Sequence, residues 1–163
     1  MKRLLVIVLL AIAGCAPREA ERCDVTITHE LAFSAAHDEV TAQLLGPTCA
    51  EAVALYSVRQ EDGHLIWAWA GSAAQLDDGA DADAFLQRWA SASVATTQTA
   101  PPFDRLAQGQ TTLDRLTYED LRARNLPMLC HLAGAGKEVC AFWEPAAGAA
   151  GLYFERNIEE NAR

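Results

Sequence analysis

Four cysteines, Cys23, Cys49, Cys130 and Cys140, constrain this chain more than any other feature, because once paired they tie distant parts of it into closed loops. Pairing needs an oxidising compartment, and the N-terminus points to one. Met1-Lys2-Arg3 is a short basic opening, and Leu4 to Ala13 is an apolar run without a polar residue. Such a run falls short of the about 20 helical residues that cross a bilayer. A basic start, a short apolar core and small residues at its end describe an export signal. An even number of cysteines in an exported chain predicts two structural disulfides. None stands in C-x-x-C spacing, which excludes a thioredoxin-like redox pair, haem attachment and the usual zinc knuckles.

The end of the leader is more specific. Ile12-Ala13-Gly14-Cys15 resembles the lipobox of bacterial lipoproteins, an aliphatic residue and two small ones before an obligatory cysteine. The resemblance implies that the Cys15 thiol takes a diacylglycerol, that cleavage falls just before it, and that the freed amine is acylated. Each buried CH₂ of such chains contributes roughly 0.8 kcal/mol, so two or three chains hold firmly where one would not. Ala16, rather than aspartate, follows the cysteine, and by the sorting habit of this class that implies the outer membrane, facing the periplasm. The expected organisation is a signal peptide over residues 1–14, a lipid anchor and polar tether over 15–22, and a single periplasmic domain over 23–163. The resemblance ends near residue 16 and implies nothing about that domain.

Charge narrows the partners. Loss of Lys2 and Arg3 leaves 11 basic against 22 acidic residues, a net charge of −11. A nucleic-acid partner needs a basic face and is excluded. Electrostatic adhesion to anionic lipid is excluded likewise, so the expected membrane contact is the lipid on Cys15 alone. An envelope protein partner stays open, and the acidic balance also serves solubility.

Hydrophobic periodicity predicts an α+β domain, mainly antiparallel β-sheet with one main helix and one short helix, stapled by two disulfides. Val25 and Ile27 alternate with Asp24, Thr26 and Thr28 as in a half-buried strand, and Val40 to Leu44 predicts a second one. Val53 to Gln60 and Leu65 to Ala70 flank Glu61-Asp62-Gly63-His64, and Asp62-Gly63 suits a type I′ hairpin turn. That turn sets Val58 opposite Trp67 and Tyr56 opposite Trp69, with the three aromatics on one face, expected to be core rather than a ligand platform. Ala82 to Ala92 predicts the main helix, capped by Asp81 or Asp83. Residues 95–112 read as a long surface connection. Thr117-Tyr118-Glu119-Asp120 reads as a capping box opening a short helix through Arg124. Met128 to Ala133, Glu138 to Glu144 and Leu152 to Arg156 predict a closing β-meander. With Gly134-Ala135-Gly136 as a three-residue loop, Cys130 stands opposite Cys140 and the two pair, leaving Cys23 to pair with Cys49.

No catalytic residue, metal site or cofactor is assigned. His29-Glu30 opens like H-E-x-x-H, but Phe33 stands where the second histidine belongs. His37-Asp38-Glu39 matches no ligand spacing. Asp77, Asp78, Asp81 and Asp83 alternate around Gly79, yet lack the order and closing glutamate of a calcium loop and equally serve a helix N-terminus. There is no G-x-S-x-G elbow, S-x-x-K or complete phosphate loop. The expected function is therefore a non-catalytic binding or envelope role. The alternatives are an inhibitor of a cationic envelope-directed enzyme such as lysozyme, or a hydrolase assembled from distant carboxylates and histidines. A deep cleft holding two or more of His29, His37, His64 and His131 beside acids favours the hydrolase.

Overall fold

The computed structural model describes residues 22–76 and 81–158. Cys15 with its lipobox, most of the tether, and Asp77 to Ala80 lie outside the described residues. Eight strands form two antiparallel four-stranded sheets. The first holds β1 (Cys23–Leu31), β2 (Asp38–Gly46), β3 (Val53–Arg59) and β4 (Leu65–Ser72) in sequence order. The second holds β5 (Val94–Thr96), β6 (Pro127–Gly134), β7 (Lys137–Glu144) and β8 (Ala149–Asn157), again in order. Between them run α1 (Ala82–Ala90) and, before β6, α2 (Arg115–Ala123). The α+β expectation and both disulfides hold.

The first sheet follows from strict alternation. Val40, Ala42 and Leu44 of β2 and Ala54, Tyr56 and Val58 of β3 are buried, while Thr41, Gln43, Leu55 and Ser57 between them face outward. Burying each of Val40, Leu44 and Val58 contributes roughly 1.5–3 kcal/mol. The inner face is covered jointly. Helix α1 packs across β1 and β2, and the second sheet reaches β4 through β6 and β8. The second sheet is covered on both faces. Leu129, Ala141 and Trp143 join the core shared with the first sheet. On the other side Met128, Cys140, Tyr153 and Phe154 pack with Tyr118 and Leu121 of α2. A register shift between Cys140 and Ala141 lets the consecutive Tyr153 and Phe154 of β8 enter one cluster.

The aromatic hairpin pairs as expected, Val58 with Trp67 and Tyr56 with Trp69, but its turn differs. The Gln60 amide donates to His64 O at 2.9 Å and the Gly63 amide to Gln60 O at 2.8 Å. Gly63 has φ 85°, whereas Asp62 has no positive φ. A type I′ turn needs positive φ at both central residues, so the loop is Glu61-Asp62-Gly63, with glycine alone left-handed. The added loop residue is absorbed by a shift between Val58 and Arg59, and the expected register is restored beyond it.

The second predicted hairpin behaves similarly. Cys130 faces Cys140, His131 faces Val139 and Leu132 faces Glu138, as expected, but then Gly134 faces Lys137 and the ladder shifts at Ala133. The turn is Ala135-Gly136, and Gly136 (φ 67°) rather than both glycines takes the left-handed conformation. The disulfides are Cys23–Cys49 and Cys130–Cys140. Met128 and Phe142 share the second bridge's face, as the register requires.

Two local expectations are corrected. Helix α2 begins at Arg115, capped by Asp114, whose carboxylate accepts from the Thr117 amide at 3.0 Å. Thr117 is therefore the receiver of a cap and not the cap itself, and α2 matches α1 at nine residues. The expected surface connection holds an edge strand, β5, and a buried Thr97 whose hydroxyl donates to Leu121 O at 2.6 Å and accepts from the Leu126 amide at 2.9 Å.

Candidate functional site

Where the two sheets and α1 meet, the chain places its most unusual side chain. His131 projects from β6 into the core shared by the sheets and is 3% exposed. Its ring stacks on Tyr56 with centroids 4.2 Å apart, and Trp67, Trp69 and Trp89 surround it at 5.9–6.3 Å. Nε2 lies 3.0 Å from Trp67 Nε1, and Nδ1 lies 2.8 Å from Leu132 O. An indole N–H can only donate and a carbonyl can only accept. The partners therefore fix one neutral tautomer, with the proton on Nδ1 and Nε2 accepting. Burial holds the imidazole down at about 4, from an ordinary 6.5, against the upward pull of its bond to Leu132. Tyr56 beneath it is fully buried, and its phenol is the one buried side-chain polar group without a hydrogen bond among the described residues. Burial pushes that phenol far above its ordinary range.

Helix α1 joins the same network. Asp81 caps it, accepting from the Asp83 amide at 3.0 Å. Phe85 and Trp89, one turn apart, point to the core, and Trp89 Nε1 donates to Leu132 O at 3.1 Å. Leu132 O thus accepts from both His131 and Trp89, joining helix and sheet at one atom.

Beside this junction a cleft of about 650 Å³ opens between α1 and the β6–β7 hairpin. The volume lies within the roughly 300–1,000 Å³ usual for ligand sites. Phe85, Trp89 and Leu132 form an apolar wall, and Arg88, Ser91 and Ser93 bring polar groups to it. Glu138 also lines it, though its carboxylate accepts from Arg156 Nε at 2.7 Å. His131 is the one histidine there, and with both ring nitrogens engaged and the ring neutral it is a structural group rather than a general base.

The other candidates from sequence are dispersed. His29 and Glu30 lie on strand β1, not on the helix a zinc motif needs, and His29 is exposed. His37 lines a second cleft of about 430 Å³ with Glu30, Glu39, Arg59 and Glu61 at the end of the first sheet. Its neighbour Asp38 is buried and accepts from the Phe33 and Ala35 amides at 3.0 Å, and from the Ser34 amide, folding the β1–β2 loop around itself. His64 sits exposed in the β3–β4 turn. No described cleft brings two histidines together, and no group of three or more His, Cys, Asp or Glu is placed to hold a metal among the described residues. Asp77 and Asp78 lie outside the described residues, and Asp81 serves the helix terminus. The disulfide cysteines offer no free thiol.

Sequence reasoning missed the cleft and His131's place in it. One signal existed. Met128 to Leu132 is nearly all apolar, the pattern of a strand covered on both faces, which buries His131 whichever way it points. No protein family, no curated protein and no solved structure matches this chain.

Proposed function

We propose that this chain is a lipid-anchored binding protein of the bacterial envelope, held at Cys15, probing its surroundings with the cleft between α1 and the β6–β7 hairpin, and without catalytic activity. The anchor reading rests on the basic, apolar and small-residue order of Met1 to Cys15. Two disulfides suit the oxidising periplasm into which such an anchor delivers its domain. The observation that carries the binding reading is the cleft's composition, an aromatic and aliphatic wall of Phe85, Trp89 and Leu132 beside the polar Arg88, Ser91, Ser93 and Glu138. The same place speaks against hydrolysis, because its histidine is neutral, buried and doubly hydrogen-bonded.

Two measurements test it. Cells grown with an alkyne-labelled fatty acid are expected to label the wild-type protein and not Cys15→Ser, which is expected to leave the membrane fraction still folded. An unlabelled protein with an N-terminus elsewhere than residue 15 would remove the anchor. A photo-crosslinking residue in place of Ala92, on the cleft wall, is expected to trap a discrete adduct in intact envelopes. The same probe at Thr28, on the outer face of the first sheet, is expected to trap none. Equal or absent crosslinking at both positions would overturn the cleft as the binding site.

A further inference from the structure

The outer face of the first sheet, turned away from the core, carries an apolar patch at one end. Leu45 of β2 and Val53 of β3 are register partners there, 38% and 48% exposed. Leu55 follows Val53 on the same face and pairs with Ala70 of β4. From Leu45, Val53 and Ser72 as far as Thr41, Ser57 and Ala68, this face of β2, β3 and β4 carries no charge. Glu39 and Arg59 stand only at its far end. The chain has a net charge of −11 after leader removal, yet here its charge is kept to the rim, at Arg22, Asp24 and Glu51, all exposed.

The patch lies at the end of the domain that the tether enters. Cys23 pairs with Gly46, the neighbour of Leu45, and is bonded to Cys49. Cys15 stands eight positions before Cys23. A chain spans at most about 3.3–3.6 Å per residue, so a lipidated Cys15 keeps Cys23 within roughly 30 Å of the bilayer surface. We propose that the patch is a second membrane contact, in which Leu45, Val53 and Leu55 enter the headgroup region of the bilayer and set the domain's angle to it. This rests on the anchor reading, and it adds an apolar contact to the lipid on Cys15, which the sequence takes as the sole one. The acidic balance excludes electrostatic adhesion but not this contact, because an uncharged face approaches anionic lipid without repulsion. A patch this small does not hold a free protein on a membrane. Acyl chains on a short tether already confine the domain, and a contact made at that high local concentration needs little affinity of its own. The cleft borders the same end, since Leu76 lines it and follows Ser72 of β4 by four positions. Docking therefore fixes the cleft's attitude to the lipid surface.

The test places a small fluorescent amino acid at Val53 or at Thr28 in the full-length lipidated protein. The protein is reconstituted in phosphatidylcholine vesicles doped with lipid spin-labelled near the headgroup. Thr28 pairs with Thr41, two rows beyond Leu45 on the same face, and serves as the reference. Quenching at Val53 is expected to exceed that at Thr28 by about twofold or more, and to be unchanged by salt. Leu45→Glu, at an exposed position, is expected to bring Val53 quenching down to the Thr28 level while the protein stays on the vesicles and its urea midpoint holds. Equal quenching at the two positions, or quenching at Val53 indifferent to Leu45→Glu, would overturn the docking face. A Val53 probe already shielded in the lipid-free Cys15→Ser protein, with a dimer's mass by light scattering, would give the face to a second copy instead. Mass spectrometry of the same preparation separates the two readings. Lipid on Cys15 without Val53 quenching removes only the docking face, whereas no lipid on Cys15 removes the anchor and the docking face together.

Discussion

Acid should weaken this fold through one side chain. In the unfolded chain His131 takes up a proton as pH falls through about 6.5, whereas in the fold it stays neutral until about 4. Between those values the unfolded state binds more protons, so stability falls as pH falls and levels off below about 4. A shift from 6.5 to about 4 at 1.36 kcal/mol per unit makes the loss about 3 kcal/mol. His131 is nearly solvent-free, so screening by water removes little of it. That is a large fraction of the roughly 5–15 kcal/mol that stabilises a domain. The perturbation that isolates it is His131→Phe, which keeps the ring and removes the titration. At pH 7.5 the variant is expected to be less stable by about 1–3 kcal/mol, because Trp67 Nε1–H loses its acceptor in a buried place. Urea unfolding of both proteins from pH 7.5 to 4, followed by tryptophan fluorescence, reads the difference directly and cancels the background of other carboxylates. The gap is expected to narrow as pH falls and to close or invert by pH 4. A gap that stays constant from 7.5 to 4 would refute the neutral, desolvated imidazole.

Tyr56→Phe removes a buried hydroxyl that has no partner. It is expected to raise stability by up to about 1–3 kcal/mol, and a lowered melting temperature would show that the hydroxyl is bonded after all. Replacing Cys23 and Cys49 together by alanine is expected to cost more than replacing Cys130 and Cys140, since the sequence separations are 26 and 10. The chain-entropy difference is under about 1 kcal/mol. Urea midpoints of the two double variants decide the order, and non-reducing peptide maps decide the pairing.

What could be read in the sequence was what is local. Val58 and Trp67, or Cys130 and Cys140, are brought together by a few residues of turn, and alternation carries the register outward from there. The register survived even where the turn was misjudged at Glu61-Asp62-Gly63, because the buried face of Tyr56 and Val58 tolerates no one-residue slip and the ladder shifts to keep it. β5 was illegible for the opposite reason. Val94-Ala95-Thr96 is three residues long inside a stretch of Thr, Gln and Pro, and Thr97 is buried by hydrogen bonds that only α2 and Leu126 can supply. The α2 start was misjudged because Asp114 and Thr117 both belong to the residue types that cap helices, and the choice between them is made by where the chain arrives. The cleft was illegible because its walls, Trp89 and Leu132, lie 43 positions apart in sequence and nothing short-range joins them.

Each disulfide stays within its own half of the chain. Cys23–Cys49 closes the open end of the β1–β2 hairpin, and Cys130–Cys140 closes β6 against β7 near its turn. Neither joins sheet to sheet. The seam between them is held by packing and by the bonds from Trp67 to His131 and from Trp89 to Leu132. Each half can thus be oxidised independently of the other, with no long-range pairing to miss. A protease that cut between α1 and β5 would leave two fragments, each internally crosslinked, with no covalent link to each other. Whether they part or remain a nicked complex then depends on the core that Leu129, Ala141 and Trp143 share with the first sheet, and on two indole hydrogen bonds, one of which ends on His131.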